Sequence, residues 1–223
     1  MVGIESFLSI ILISFLLGSI PNGIIIGKLF YHIDIREQGS GNIGTTNAIR
    51  AMGKKGGYAV FLLDFAKGVA SGLIALWIFT SFSDAVSMQT LQFTQAECLC
   101  AAFFGCVLGH VFSPWLGFHG GKGIAVSVGC LFVTFGPVGA LLELAAFIVV
   151  VAATKYVSAG SITAAVVCPP LSLFLFWGDW LACGLCCAVA AVVIWAHREN
   201  IGRLSQGTES KIGKKKAEDG GTR

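Results

Sequence analysis

Six apolar runs, at about residues 4–30, 57–81, 97–116, 124–153, 161–177 and 180–197, take up most of this 223-residue chain. A helix needs roughly 17–25 such residues to cross a bilayer. In hydrocarbon the backbone N–H and C=O groups must be satisfied internally, and single long apolar runs can do that only as helices. The runs therefore dictate an all-α integral membrane protein. Only 12% of the residues are charged, against about 25% in soluble domains, which excludes a soluble enzyme. No Lys or Arg precedes the first run. A cleaved signal peptide would carry a basic region there, so the run reads as a permanent span.

Charge decides how many times the chain crosses. Arg36, Arg50, Lys54 and Lys55 lie in 31–56, and seven Lys and Arg residues follow His197, whereas 82–96 has neither. Basic segments stay on the cytoplasmic side, so 31–56 and the tail are cytoplasmic and 82–96 external. Six spans would put the basic tail outside. The run 124–153 is interrupted by Gly136-Pro137-x-Gly139, and proline with glycine can end one helix and begin another. Splitting it near 120–136 and 138–154 gives seven transmembrane helices, with the N-terminus outside and the C-terminus cytoplasmic. Every Lys and Arg except Lys28 and Lys67 then falls in a cytoplasmic segment. Residues 1–210 read as one membrane domain and 211–223 as a basic, disordered tail whose Lys214-Lys215-Lys216 meets the lipid surface.

With seven spans, four unusual polar segments share the cytoplasmic face. The first contains Gly39-Ser40-Gly41-Asn42-Ile43-Gly44-Thr45-Thr46-Asn47-Ala48-Ile49-Arg50. Glycine lets backbone N–H groups approach an anion closely, and Arg50 adds a cation. Asn42 or Thr45 is expected to cap a short helix ending at Gly53, its N-terminus also favouring an anion. The second is Gly117-Phe118-His119-Gly120-Gly121-Lys122-Gly123. It fails as a nucleotide P-loop, because Leu116 and Gly123 stand where glycine and Ser or Thr are required. What remains is a glycine nest around one lysine, suited to phosphate. The third runs from Lys155 to Ser161, with Ser158. The fourth begins with His197 and Asn200, three residues apart and so on one side of a helix.

Other polar groups have structural readings. Asp64 and Lys67 share a face within a span, where an unpaired charge is costly, so they are expected to pair. Glu143 has no evident partner. The eight cysteines lie in or beside apolar runs. Cys183-x-x-Cys186 lacks the second half of a zinc site, so they read as packing residues and no metal is expected.

Taken together, the motifs resemble the bacterial acyl-phosphate:glycerol-3-phosphate acyltransferase family nearly end to end. The likeness rests on Gly18-Ser19-Ile20-Pro21, Asp34-Ile35-Arg36, Gly39 to Arg50, Asp64 with Lys67-Gly68, Gly109-His110, Gly120 to Gly123, and His197 through Arg203 to Glu209. Ile43, Thr45 and His119 stand where the family more often has proline, alanine and a basic residue. The resemblance implies seven transmembrane helices in the bacterial cytoplasmic (inner) membrane. It also implies acyl transfer from acyl phosphate to the 1-hydroxyl of glycerol 3-phosphate, giving lysophosphatidate and phosphate, the first step of phospholipid synthesis. Glycerol 3-phosphate, acyl phosphate and membrane lipid are the implied partners. No nucleic acid, obligatory protein partner or cofactor is expected.

By the same likeness, Ser40, Arg50 and Lys122 bind glycerol phosphate, with Asn42, Asn47, Gly120, Gly121 and Gly123 forming the cradle and Ser158 or Ser161 assisting. Ser40, His197 and Asn200 stand nearest the chemistry, and Glu209 ties the tail to the core. The chain has no Gly-x-Ser-x-Gly nucleophile elbow. An acyl phosphate is already activated, so orientation and charge stabilisation are enough, and the proton is free to go to His197 or to a substrate phosphate. The rival reading is a transporter of a phosphorylated metabolite or lipid. It would predict polar residues along the spans and internal repeats, whereas here the polar groups cluster on one face and no repeat is visible.

Overall fold

The computed structural model describes residues 1–83 and 92–212. Among these, nine α-helices follow in order: α1 Ile4–Gly18, α2 Asn22–Phe30, α3 Thr45–Phe82, α4 Gln95–Val111, α5 Ile124–Thr134, α6 Gly136–Thr154, α7 Val157–Leu175, α8 Trp180–Ala196 and α9 Arg198–Ser205. The all-α expectation needs one amendment. Val2–Gly3 and Gln92–Phe93 form a two-residue antiparallel pair, with Val2 opposite Phe93. Residues of the expected external loop from 84 to 91, and of the expected tail from 213 onward, lie outside the described residues.

The helix breaks follow from the residues at them. Pro21 supplies no N–H to the helical ladder, and the first apolar run divides there into α1 and α2. Gly53 takes φ 72°, splitting α3 into a short helix at 45–52 and a long one beyond. The break expected in the fourth run is present: α5 ends at Thr134 and Gly136 takes φ 70° before α6. Five segments are long and apolar enough to cross a membrane, or six if α8 and α9, bent by 56°, count as one. At 11 residues, α5 is roughly 16 Å long, well short of a hydrocarbon core of about 30 Å. Length alone therefore does not supply the seventh crossing.

α4 is the most enclosed span and packs on α1, α3, α5 and α8. In lipid there is no hydrophobic drive between helices, so close backbone approach and polar contacts must hold them. A Cβ on Gly18 would lie 2.0 Å from the Cys106 carbonyl oxygen, and one on Gly109 2.0 Å from that of Phe15, so α1 and α4 meet backbone to backbone. The outward faces carry exposed large apolar side chains, including Leu8, Leu12, Trp77, Leu141 and Val149, as a lipid-facing surface requires.

One polar network ties α1, α2, α3 and α4 together. Lys67 Nζ lies 3.0 Å from Asp64, the pair expected from their spacing. Lys67 also donates to the Ile20 carbonyl at the α1–α2 break (2.9 Å) and lies 3.0 Å from His110 Nδ1. Asn22 Nδ2 donates to Asp64 (3.0 Å). Every member of this buried set has a partner, which is what makes burial of its charges tolerable.

Candidate functional site

The first polar segment is held in shape by Asn47. Its Oδ1 accepts from the Ser40 N–H (2.9 Å), and its Nδ2 donates to the carbonyls of Ile35 (3.0 Å) and Gln38 (2.9 Å). The Asn47 amide is thus used in bracing the loop and is buried. Asn42 and Thr45 do not cap the helix as expected. The N-cap is Gly44, without a side-chain bond, and Asn42 Oδ1 instead accepts from the Gly44 N–H (2.9 Å) in a local turn. Thr45 Oγ1 is buried with no hydrogen-bond partner. Before the loop, Asp34 is gripped by Arg36 (2.6 Å), whose hydrogen bond holds the Asp34 carboxyl well below the usual carboxylate range. Ser40 and Arg50 lie on the exposed side.

The second segment folds back onto the C-terminal end of α4. The Gly120 N–H donates to Val111 (2.9 Å) and the Gly121 N–H to His110 (3.0 Å). These two N–H groups of the expected nest are therefore already engaged. The two glycines are needed for closeness: a Cβ on Gly120 would lie 2.0 Å from the His110 carbonyl oxygen, and one on Gly121 2.2 Å from His110 Nε2. The result is to seat Lys122 at the start of α5, whose first-turn N–H groups have no intrahelical partner. His119 is exposed and turned onto Gly117.

The fourth segment meets the second. Lys122 Nζ donates to Asn200 Oδ1. Asn200 Nδ2 donates to Glu209 Oε1 (2.7 Å), Ser158 Oγ donates to the same oxygen (2.9 Å), and Arg203 Nε donates to Glu209 Oε2 (2.7 Å). Glu209 thus joins α7, α9 and, through Asn200, the second segment. Burial opposes its ionisation, but the hydrogen bonds from Arg203, Asn200 and Ser158 outweigh it and hold its carboxyl below the ordinary value. Ser161 is buried and bonds only the Val157 carbonyl of its own helix (2.9 Å). His197, at the α8–α9 bend, has Nδ1 at 2.8 Å from the Val193 carbonyl. A carbonyl only accepts, so Nδ1 carries the hydrogen, and in the neutral ring Nε2 is the free acceptor.

Lys122 feels burial first, which pushes its ammonium down, then the charges of Arg203 and Arg50 in the same direction, against Glu209 and Glu199. Three cations from three segments therefore act together against two carboxylates, Glu209, bonded to Arg203 at 2.7 Å, and Glu199, 3.9 Å from the same guanidinium. Arg50 makes no ion pair among the described residues. Such a surplus of positive charge, beside an imidazole with a free acceptor nitrogen, can bind a phosphorylated molecule and orient a hydroxyl. Arg203 belongs to this cluster but reads from sequence as a topogenic charge. Among the described residues no group of His, Cys, Asp or Glu is placed to hold a metal ion.

Directly below lies an apolar cavity of about 160 Å³, lined by residues including Ile124, Ser127, Leu131, Glu143, Cys168 and Val193. Ile124 follows Gly123, and Val193 is the residue whose carbonyl holds His197. The floor of the polar site is therefore the roof of the cavity.

The sequence model of the glycerol-3-phosphate acyltransferase family matches residues 8–207. The chain is 40% identical over 205 residues to a glycerol-3-phosphate acyltransferase of Thermosynechococcus vestitus, covering 91% of this chain and 93% of that one. It is 41% identical over 215 residues to that of Clostridioides difficile, covering 96% and 98%. It is also similar to the crystal structure of PlsY, an integral membrane glycerol 3-phosphate acyltransferase, in its glycerol 3-phosphate form. The TM-score is 0.77 and the identity 37%, with 93% of this chain and 96% of that chain covered. The lysophosphatidic acid form of PlsY gives a TM-score of 0.75.

Proposed function

The chain belongs to the glycerol-3-phosphate acyltransferase family and is a multi-pass membrane acyltransferase, and from that premise we propose that it transfers an acyl group from acyl phosphate to the 1-hydroxyl of glycerol 3-phosphate. The observation that carries this reading is the cluster of Arg50, Lys122 and Arg203 above an apolar cavity. A dianionic head and a long apolar chain need those two environments next to each other.

In this mechanism Arg50, Lys122 and the N–H groups at the start of α5 bind the phosphate of glycerol 3-phosphate. The exposed Ser40 hydroxyl adds a further contact. Asn47, Gly120 and Gly121 act indirectly, by shaping the loops that present Ser40 and Lys122. Asn200 sets the Lys122 ammonium, and Ser158 helps to hold Glu209. His197 Nε2 accepts the hydrogen of the attacking hydroxyl and so aims its oxygen at the acyl carbonyl. The new ester C–O bond forms as the acyl carbon–phosphate oxygen bond breaks. As the anhydride bond breaks, the hydroxyl proton passes from its hydrogen bond with His197 to the departing phosphate, which leaves as hydrogen phosphate. Because the donor is a mixed anhydride, positioning and charge stabilisation account for catalysis without an enzyme nucleophile.

The same reading places the protein in the bacterial cytoplasmic membrane with seven crossings, α5 serving as a short one. The N-terminus is outside, and the polar segments and C-terminus are cytoplasmic. Residues 1–210 form the enzyme and 211–223 a basic tail. Two things support it: the distribution of Lys and Arg, and the meeting of the second and fourth segments at one end of the bundle.

The test is turnover by the purified protein in detergent or bilayer. Glycerol 3-phosphate and acyl phosphate should give lysophosphatidate and inorganic phosphate in equal amounts, with a chelator present and coenzyme A absent. Turnover with acyl-coenzyme A but not with acyl phosphate would overturn the donor assignment.

A further inference from the structure

The acyl-transfer reading leaves one group in the cavity without a use: the carboxyl of Glu143. It is buried on α6 among Leu131, Ala140, Leu144 and Phe147, and its Oε2 has no hydrogen-bond partner. Cys168 of α7 lines the same cavity. No ion pair reaches Glu143 among the described residues. A carboxyl in such surroundings is expensive to keep. A leucine or methionine there would pack more cheaply, so the polarity itself calls for a function.

Its depth suggests one. Glu143 is eleven residues before Thr154, at the end of α6 that leads to the site; Cys168 is ten residues after Ser158, and Cys186 eleven before His197. At about 1.5 Å per helical residue, α6, α7 and α8 agree in putting this level roughly 15 Å below the polar site. Glu143 and Cys168 line the same cavity, and Cys168 and Cys186 belong to one buried cluster, as a common depth requires. The other residue of this lining with a buried polar atom that lacks a partner, Ser127 through its Oγ, lies one helical turn below Gly123. A chain entering from the site passes Ser127 whatever its length. It meets Glu143 only if it is long enough.

Resting on the acyl-transfer reading above, we propose that Glu143 is the chain-length gauge of this enzyme, a polar floor at which the methyl end of the donor's acyl chain stops. Above it each added methylene moves onto apolar walls and gains binding. At the carboxyl the next methylene would cover a polar oxygen that offers it nothing. The gain then ends at a definite length instead of fading.

The experiment is a profile of kcat/KM against chain length, using a series of saturated acyl phosphates, for the wild type, Glu143→Leu and Glu143→Gln. In the wild type each methylene short of the floor should raise kcat/KM by roughly fourfold, the gain expected per buried methylene, and the rise should then stop. Glu143→Leu should continue the rise and shift the optimum to donors longer than the wild-type optimum. Glu143→Gln keeps a polar floor and should retain the wild-type optimum. The KM for glycerol 3-phosphate should be unchanged in both variants. Glu143→Met, with a side chain of similar length and no carboxyl oxygen, serves where the leucine variant does not fold. An apolar variant that folds and keeps the wild-type profile would overturn the gauge, as would a glutamine variant that shifts like leucine. Absence of turnover with acyl phosphate in the wild type would instead sink the acyl-transfer reading, so the two failures are distinguishable.

Discussion

Replacing Glu209 by alanine removes one acceptor group from three donors at once, and the structure indicates what each loss costs. Asn200 and Ser158 are buried, so each would keep an unsatisfied donor, at about 1–3 kcal/mol apiece. The Ser158 hydroxyl can rotate toward its own helix, which puts it at the low end. The Arg203 side chain is 38% exposed and rehydrates, so its ion pair contributes at most about 1 kcal/mol. The sum is roughly 2–5 kcal/mol, a fall in Tm of about 10 °C for a chain of this size. Glu209→Gln keeps one oxygen for Asn200 and Ser158 and loses the charge and the acceptor oxygen facing Arg203, a contact worth at most about 1 kcal/mol. It should therefore melt no more than a few degrees below wild type. The assay is thermal unfolding in detergent followed by tryptophan fluorescence, with the KM for glycerol 3-phosphate measured on the same preparations. Because Asn200 also sets Lys122, the alanine variant should raise that KM. The pH dependence has a definite sign. The folded-state pKa of Glu209 is depressed, so its contribution is fully present above the unfolded carboxylate value near about 4.3. That contribution is lost as pH falls through the lower folded value. The Tm gap between wild type and Glu209→Ala should thus be constant at neutral pH and close in acid. A Glu209→Ala protein with wild-type Tm and KM would refute the reasoning.

Arg50→Ala and Lys122→Ala each delete a charge-assisted contact worth about 1.5–3 kcal/mol, so each should raise the KM for glycerol 3-phosphate by roughly 10–100-fold; steady-state kinetics with both KM values unmoved would remove these residues from the site. Gly121→Ala would put a Cβ 2.2 Å from His110 Nε2, while that ring is held from the other side by Lys67 at 3.0 Å. Overpacking of about 1–3 kcal/mol should lower the Tm by several degrees and displace Lys122, which activity and thermal unfolding together would detect.

Much of this molecule could be read before folding because hydrophobicity and backbone breakers act locally. The α5–α6 break lies at Gly136, where Gly136-Pro137 stood inside an overlong run. The Asp64–Lys67 pair follows from helical spacing. The roles within the polar segments were harder to read. Asn47 and Arg50 share a helix face, yet Asn47 faces inward to three backbone groups while Arg50 is exposed, and spacing does not record which way a loop folds over a helix. Gly120 and Gly121 read as donors to an anion because glycine permits that. It also permits contact with the end of α4, and the carbonyls of His110 and Val111 took both N–H groups.

The sequence by itself determined an all-helical membrane protein, since apolar runs in lipid have helix as their one satisfied state, and it determined which segments carry cations and glycine. Only the tertiary structure decided how those segments combine. Lys122 and Asn200 are 78 residues apart, and Ser158 and Glu209 51 apart. Partners at such separations are chosen by the packing of whole helices, not by any local pattern. The same packing gave Glu143 its place, taking a charge with no evident partner in the sequence and setting it roughly 15 Å below the polar site, in the lining of an apolar cavity.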